Sequence, residues 1–144
     1  MAKSKDNLFS RCLYFNSNAL TRKLNARWNH AFDKFDLSPS HGYLLRLILS
    51  SPGLSQQAIS DQLNLEKSTV ARFLSKLESD KLVERRESKG DPRQKCVYPS
   101  KQAIGMEDDL LTLGDELYLS MCEKIGAHNV RKIVASLREV ADKL

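Results

Sequence analysis

Gln56-Gln57-Ala58-Ile59-Ser60-Asp61-Gln62-Leu63-Asn64-Leu65-Glu66-Lys67-Ser68-Thr69-Val70-Ala71-Arg72-Phe73-Leu74-Ser75-Lys76 decides the fold of this chain. Ile59 and Leu63, four residues apart, give a first helix its inner face, and Ser60 is small enough to let a second helix approach. Asn64 falls at the turn, where a left-handed backbone is common and Asn tolerates it better than most residues. Leu65, Val70 and Phe73 then anchor the turn and the second helix. Lys67, Ser68, Thr69, Ala71, Arg72, Ser75 and Lys76 are left outward. Short and cationic groups of this kind suit close approach to a groove and its phosphates.

An amphipathic helix pair alone is common in small α-domains, and the residues that follow narrow the reading. Leu82-Val83-Glu84-Arg85-Arg86 alternates like a strand and Lys95-Cys96-Val97-Tyr98 reads as its partner. The polar loop Ser88-Lys89-Gly90-Asp91-Pro92-Arg93-Gln94 joins them. The hairpin carries Arg85, Arg86, Lys89, Arg93 and Lys95, a second DNA-contacting element beside the recognition helix. The expected fold is mainly α, a winged helix-turn-helix with a small β-hairpin wing, and the expected partner is double-stranded DNA.

At 144 residues the chain has the length of one domain, and its net charge of +5 fits a polyanionic partner. The charge is uneven: residues 1–50 hold 8 basic and 3 acidic side chains, 51–100 hold 9 and 7, and 101–144 hold 6 and 8. Glu66, Glu78, Asp80, Glu84, Glu87 and Asp91 must therefore point away from phosphates or pair with neighbouring cations. The basic excess of the first segment either forms a solvated face or extends the DNA footprint. No apolar run approaches the roughly 20 residues of a membrane span, and Met1–Asp6 lack the apolar stretch of a secretory signal. Cytoplasm is the expected compartment, with no membrane partner. Cys12, Cys96 and Cys122 form no CxxC pair, and His30, His41 and His128 are scattered, so neither metal nor cofactor is expected. No nucleophile elbow, phosphate-binding glycine loop or HExxH appears, and Glu107-Asp108-Asp109 reads as a solvated face near a helix start. An enzyme is not expected.

Long helices flank the motif. Phe9, Leu13, Leu20, Leu24, Trp28, Phe32 and Phe35 recur at helical intervals and predict about seven turns. Asp36-Leu37-Ser38-Pro39 ends that helix and opens the next, with Ser38 as N-cap and Pro39 at its first position. The second helix, through Leu44, Leu47 and Ile48, ends near Ser50-Ser51-Pro52-Gly53, and Leu54 adds a short strand to the hairpin. After Pro99-Ser100 a long helix carries Leu110, Leu113, Leu117, Met121 and Ile125, broken by Gly126. A last one carries Val130, Ile133, Val134, Leu137, Ala141 and Leu144. The reading assigns 37–99 to the winged helix and 6–36 with 100–144 to a helical dimerisation region, one intertwined domain overall. These outer helices either close a bundle within the chain or interlock with a second copy, and symmetric pairs are the commoner readers of duplex operators.

The chain resembles the MarR family of bacterial transcription regulators over nearly its whole length. The likeness rests on Leu37-Ser38-Pro39-Ser40-His41, on Ser68 to Glu78 as recognition helix, on Lys81-Leu82-Val83-Glu84-Arg85 entering the wing, and on Gly90-Asp91-Pro92-Arg93 matching a D-x-R wing signature. It implies an obligate homodimer on a pseudo-palindromic operator, usually a repressor, with recognition helices in major grooves and wings in flanking minor grooves. Arg93 would enter the minor groove, where narrowness concentrates negative potential, and Asp91 would hold the wing by pairing with a nearby Arg. Ser68, Thr69, Arg72 and Lys76 would take base and phosphate roles, with Lys67, Arg86, Lys89 and Lys95 as further cations. Ser55, Gln56 and Gln57 would donate to phosphate from a helix start. The chain departs from a frequent Thr-x-x-Gly after the wing, having Ser100-Lys101-Gln102-Ala103, which questions how the fifth helix begins.

Family members commonly release DNA when a small aromatic ligand binds between the dimer helices and the winged helix. Cys12, Phe15, Trp28, His41 and Tyr43 come from the bordering elements and are the pocket candidates. A peroxide-sensing branch uses an N-terminal-helix cysteine near tyrosines, and Cys12 lies near Tyr14, so thiol sensing is the alternative switch. A winged helix used for protein–protein contact is the alternative of a different class.

Overall fold

The computed structural model describes residues 8–144 and divides into two compact units, the first ending at Pro39 and the second spanning Ser40–Leu144. The absence of a secretory stretch in Met1–Asp6 and the first residues of the 6–36 helical region lie outside the described residues. The first unit is built on α1 (Leu13–Phe32), followed by one 3-10 turn, Asp33–Phe35. The apolar period predicts a start near Phe9, but the helix begins four residues later. The Asn16 side chain is the reason: its amide donates to the carbonyls of Phe9 at 3.0 Å and Cys12 at 2.7 Å. Those bonds hold residues 9–12 in a turn that competes with helix. Cys12 is the N-cap, its Sγ accepting from the Phe15 N–H at 3.4 Å. Leu13, Tyr14 and Leu20 stand exposed, whereas Phe32 is fully buried beside the Phe35 ring.

In the second unit, α2 (Pro39–Ser50) leads through a Gly53 turn into β1 (Leu54–Ser55), then α3 (Gln56–Leu63) and α4 (Lys67–Ser79). Gly53 has φ +90° and donates its N–H to Val97, and an added Cβ would meet the Tyr98 ring at 3.3 Å. Asn64 takes the expected left-handed turn, φ 52° and ψ 47°, and Ser60 is buried at the helix crossing. Val70, Leu74 and Leu77 are the fully buried anchors of α4. Phe73, expected among them, is half-buried, because it lies on the edge of the Val70–Leu74–Leu77 stripe and packs on His41 instead, ring centroids 4.7 Å apart.

The end of α4 aims the wing. Lys81 turns left-handed at φ 60°, and the Leu82 N–H returns to the Leu77 carbonyl at 2.9 Å, a Schellman closure. The buried pair Leu82 and Val83 then carries the chain into β2 (Val83–Glu87), which pairs antiparallel with β3 (Lys95–Pro99). The sheet order is β1-β3-β2, with Leu54 opposite Val97 and Arg85 also opposite Val97. Side chains alternate across a sheet, so Val83, Arg85 and Glu87 share the face of Val97 and Lys95, while Glu84 and Arg86 share that of Cys96 and Tyr98.

Ser100 caps α5 (Lys101–Ile125) by accepting from the Ala103 N–H at 3.2 Å, and Ala103 is fully buried. The departure from Thr-x-x-Gly therefore leaves the helix start intact. Gly126, φ 88°, closes α5 and opens α6 (Ala127–Lys143). On α6 only Val130 is buried, whereas Ile133, Val134 and Leu137 are 41%, 48% and 50% exposed. Among the described residues no helix is long and apolar enough to cross a membrane, and no group of three His, Cys, Asp or Glu is placed to hold a metal ion.

Candidate nucleic-acid interface

The inner face of the hairpin outruns the core at its far end, and there it forms one wall of a cleft. Ser55, Gln56, Gln57 and Ser60 of the α3 region line the opposite side, with Lys67 opening α4 and Asp91, Arg93, Gln94 and Lys95 from the wing. The cleft holds about 540 Å³ and brings together seven of the expected DNA-contacting residues: Ser55, Gln56, Gln57, Lys67, Asp91, Arg93 and Lys95. Two helix starts point into this region. The Ser55 hydroxyl accepts from the Ala58 N–H at 3.1 Å and keeps its own hydrogen to donate. Glu66, at the N-cap of α4, makes no side-chain cap, which leaves the first N–H groups of the recognition helix unsatisfied.

The wing tip is shaped by Asp91, by a different bond from the one expected. Asp91 makes no ion pair with an arginine; its Oδ1 accepts from the Arg93 backbone N–H at 2.9 Å, while its carbonyl accepts from the Gln94 N–H at 3.0 Å. Asp at the first turn position and Pro92 at the second are what such a turn selects. The guanidinium of Arg93 is thereby left unpaired on the surface.

The cations expected from sequence to contact DNA divide into two sets. Among the described residues Lys67, Arg72, Lys89, Arg93 and Lys95 have no carboxylate within salt-bridge distance, and each is exposed. Lys76 is bound to Asp80 at 3.0 Å, one turn on, and Arg86 to Glu84 at 2.9 Å while covering the Tyr98 ring at 4.5 Å. Both pairs lie at the surface, Asp80 partly covered, and are of the weak kind that competitors displace. Arg85, grouped with the DNA-contacting cations from sequence, faces inward. Its Nε donates to Glu78 at 2.8 Å, and it also reaches Ser75 and Gln56. Its β2 register with Val83 and Val97 was the signal for this. Ser68 is exposed and Thr69 half-exposed on the first turn of α4, and Gln57 donates to Asp61 at 2.9 Å.

The five pocket candidates fall in both units. Cys12 caps α1 and is half-buried, Phe15 stacks with Phe9 at 5.2 Å, and Trp28 is half-buried near the end of α1. Within α2, His41 and Tyr43 face different neighbours: His41 meets Phe73 of the recognition helix, and Tyr43 underlies the Arg46 guanidinium at 5.4 Å. Burial of the imidazole, reinforced by Lys76 and Arg72 and opposed by Asp80, holds the His41 pKa below 6.5. A depressed folded-state pKa means the unfolded chain takes its proton first as pH falls. This contribution to stability is complete above pH 6.5 and is lost as pH drops through the folded value. Urea midpoints measured at pH 7.5 and pH 5.5 should therefore fall less in His41→Gln than in wild type. Equal falls would remove His41 as a source.

Residues 35–94 match a family model described as MarR family. The transcriptional regulator HosA of Escherichia coli O157:H7 is 24% identical over 121 residues, 84% of this chain and 88% of that protein. The Staphylococcus aureus MepR–DNA complex superposes with a TM-score of 0.81 at 19% identity, covering 92% of this chain and 98% of that one. A MarR family transcriptional regulator from Listeria monocytogenes, complexed with 26mer DNA, gives 0.76 at 16% identity, covering 91% and 87%. At these identities the solved structures establish the winged-helix fold.

Proposed function

From the match of residues 35–94 to a MarR family model, we propose that this chain is a MarR-family homodimeric repressor that binds a pseudo-palindromic operator and is released by a small aromatic effector. The observation that carries the DNA part is the cleft between the two helix starts and the wing, with Lys67, Arg93 and Lys95 unpaired against the single carboxylate of Asp91. Uncapped N–H groups at the start of α4 and the donors Ser55, Gln56 and Gln57 suit backbone phosphates. Ser68, Thr69 and Arg72 face a major groove, and Arg93 projects from the wing toward a minor groove. Lys76, Arg86 and Lys89 join them on the phosphates, the first two after exchanging a surface carboxylate for a phosphate.

The apolar side chains left exposed on α1, α5 and α6 support a second copy as their cover. Two-fold pairing would set two recognition helices about one DNA turn apart, roughly 34–36 Å. A DNA-bound regulator of this kind works in the cytoplasm.

Operator DNA selected from genomic fragments retained on the protein provides the test. Affinity should fall steeply with salt, each phosphate contact contributing a slope of about 0.9 in log K against log salt. Lys95→Ala should lower that slope by about one contact, and Arg93→Ala should weaken binding roughly tenfold. A flat salt response in the wild type would instead mark a protein-contact module.

A further inference from the structure

Resting on that reading, we infer that Arg85 is a positioning residue that locks the wing to both helices of the motif and orients the Gln56 amide, and that it makes no phosphate contact itself. Four bonds to three partners carry this. Arg85 Nε and Nη2 bracket the Glu78 carboxylate at 2.8 and 3.5 Å, tying β2 to the recognition helix. Nη2 also donates to Ser75 Oγ at 3.3 Å, and Nη1 donates to Gln56 Oε1 at 3.5 Å, reaching the first residue of α3.

The chemistry of each partner gives the consequence. Gln56 has one acceptor oxygen and one donor NH₂, so occupying the oxygen turns the NH₂ toward the cleft that Gln56 lines. Without Arg85 the amide is free to flip and present its oxygen to a phosphate, which repels it. Ser75 donates its one hydrogen to the Ala71 carbonyl at 2.9 Å, which leaves it no donor for a base, and its oxygen accepts from Arg85. Glu78 cancels the guanidinium charge, and the Arg85 side chain is 20% exposed. The hydrogen bond from Arg85, with the charges of Arg85 and Lys95, holds the Glu78 pKa below 4.5 against its desolvation, in keeping with a lasting ion pair.

The sign of one mutation separates this from a phosphate contact. Removing a carboxylate beside DNA should tighten binding if Arg85 serves the phosphates directly, because Glu78→Gln would free it. A positioning role predicts the reverse: Glu78→Gln and Arg85→Gln each weaken operator binding roughly tenfold, with the slope of log K against log salt unchanged. Gln56→Ala should weaken wild-type binding yet cost nothing further in the Arg85→Gln background, a coupling that general loosening of the fold would not produce. Thermal melting of each variant shows that the folded protein is being titrated, and Glu78→Gln changes a partly exposed group that the fold tolerates.

Tighter binding by Glu78→Gln, a slope lowered by about one unit in Arg85→Gln, or additive losses with Gln56→Ala would each overturn the inference while DNA binding stands. Wild-type protein that retains no DNA at low salt would bring down the functional reading, and this inference with it.

Discussion

With the proposed two-fold pairing, Leu137→Glu is expected to convert the protein to a monomer and to reduce operator affinity by about a hundredfold or more. Leu137 is 50% exposed on α6, alongside Ile133, Val134 and Val140, with Leu144 fully exposed at the end of the chain. A lone helix with that apolar stripe and a charged opposite face is built to be covered. A carboxylate at the centre of the stripe would be buried without a partner on dimerisation, at a cost of several kcal/mol. Losing the partner removes the second recognition helix, and with it the effective concentration that links two half-sites, a factor of about 10²–10⁴. Helix content should be unchanged, because the only α6 anchor buried within the chain is Val130. Light scattering reads the mass and fluorescence anisotropy the affinity. A dimer that persists would show that α6 is covered in some other way, and a monomer with full affinity would show that pairing does not govern operator binding.

The two-helix motif and the hairpin could be read from residue type because each rests on local rules. Asn64 suits a left-handed turn because it tolerates that backbone, and it takes φ 52°. Ser100 and Gly126 mark the ends of α5 by cap chemistry alone. What escaped were features decided by a side chain reaching elsewhere. Asn16 shortens α1 by binding carbonyls behind it, which no apolar period registers. Lys81 bends left-handed although nothing in lysine favours it, because the Schellman closure and the burial of Leu82 and Val83 outweigh about 1–2 kcal/mol of backbone strain.

The inward face of Arg85 is legible in the strand period. In a hairpin the side-chain period is two, so a residue two beyond the buried Val83 had to face inward. Counting charge along β2 grouped it with Arg86, whereas counting faces separates the two. Asp91 shows the same limit at shorter range. The D-x-R signature implies a carboxylate–arginine ion pair, whereas the Asp91 bond runs to the backbone N–H of Arg93. The carboxylate thus shapes the turn and leaves the guanidinium available.

The recognition helix offers the sharpest contrast, because its two faces predict opposite losses. Leu74 is fully buried between Val70 and Leu77 on the inner stripe of α4. Leu74→Ala removes that packing and leaves a cavity, a cost of about 2–5 kcal/mol. Against a total stability of about 5–15 kcal/mol, this should lower the melting temperature by roughly 5–15 °C. Below its own transition the variant should still bind operator with near wild-type affinity, since no outward group is changed. Arg72, two residues earlier, is exposed and rests on the Phe73 ring at 5.4 Å. Arg72→Ala should shift stability by no more than about 0.5 kcal/mol while weakening operator binding roughly tenfold or more. Calorimetry and anisotropy on both variants test the pair together. If Leu74→Ala melts like wild type, α4 is not seated on the core by this stripe; if Arg72→Ala binds like wild type, the outward face of α4 is not what reads the groove.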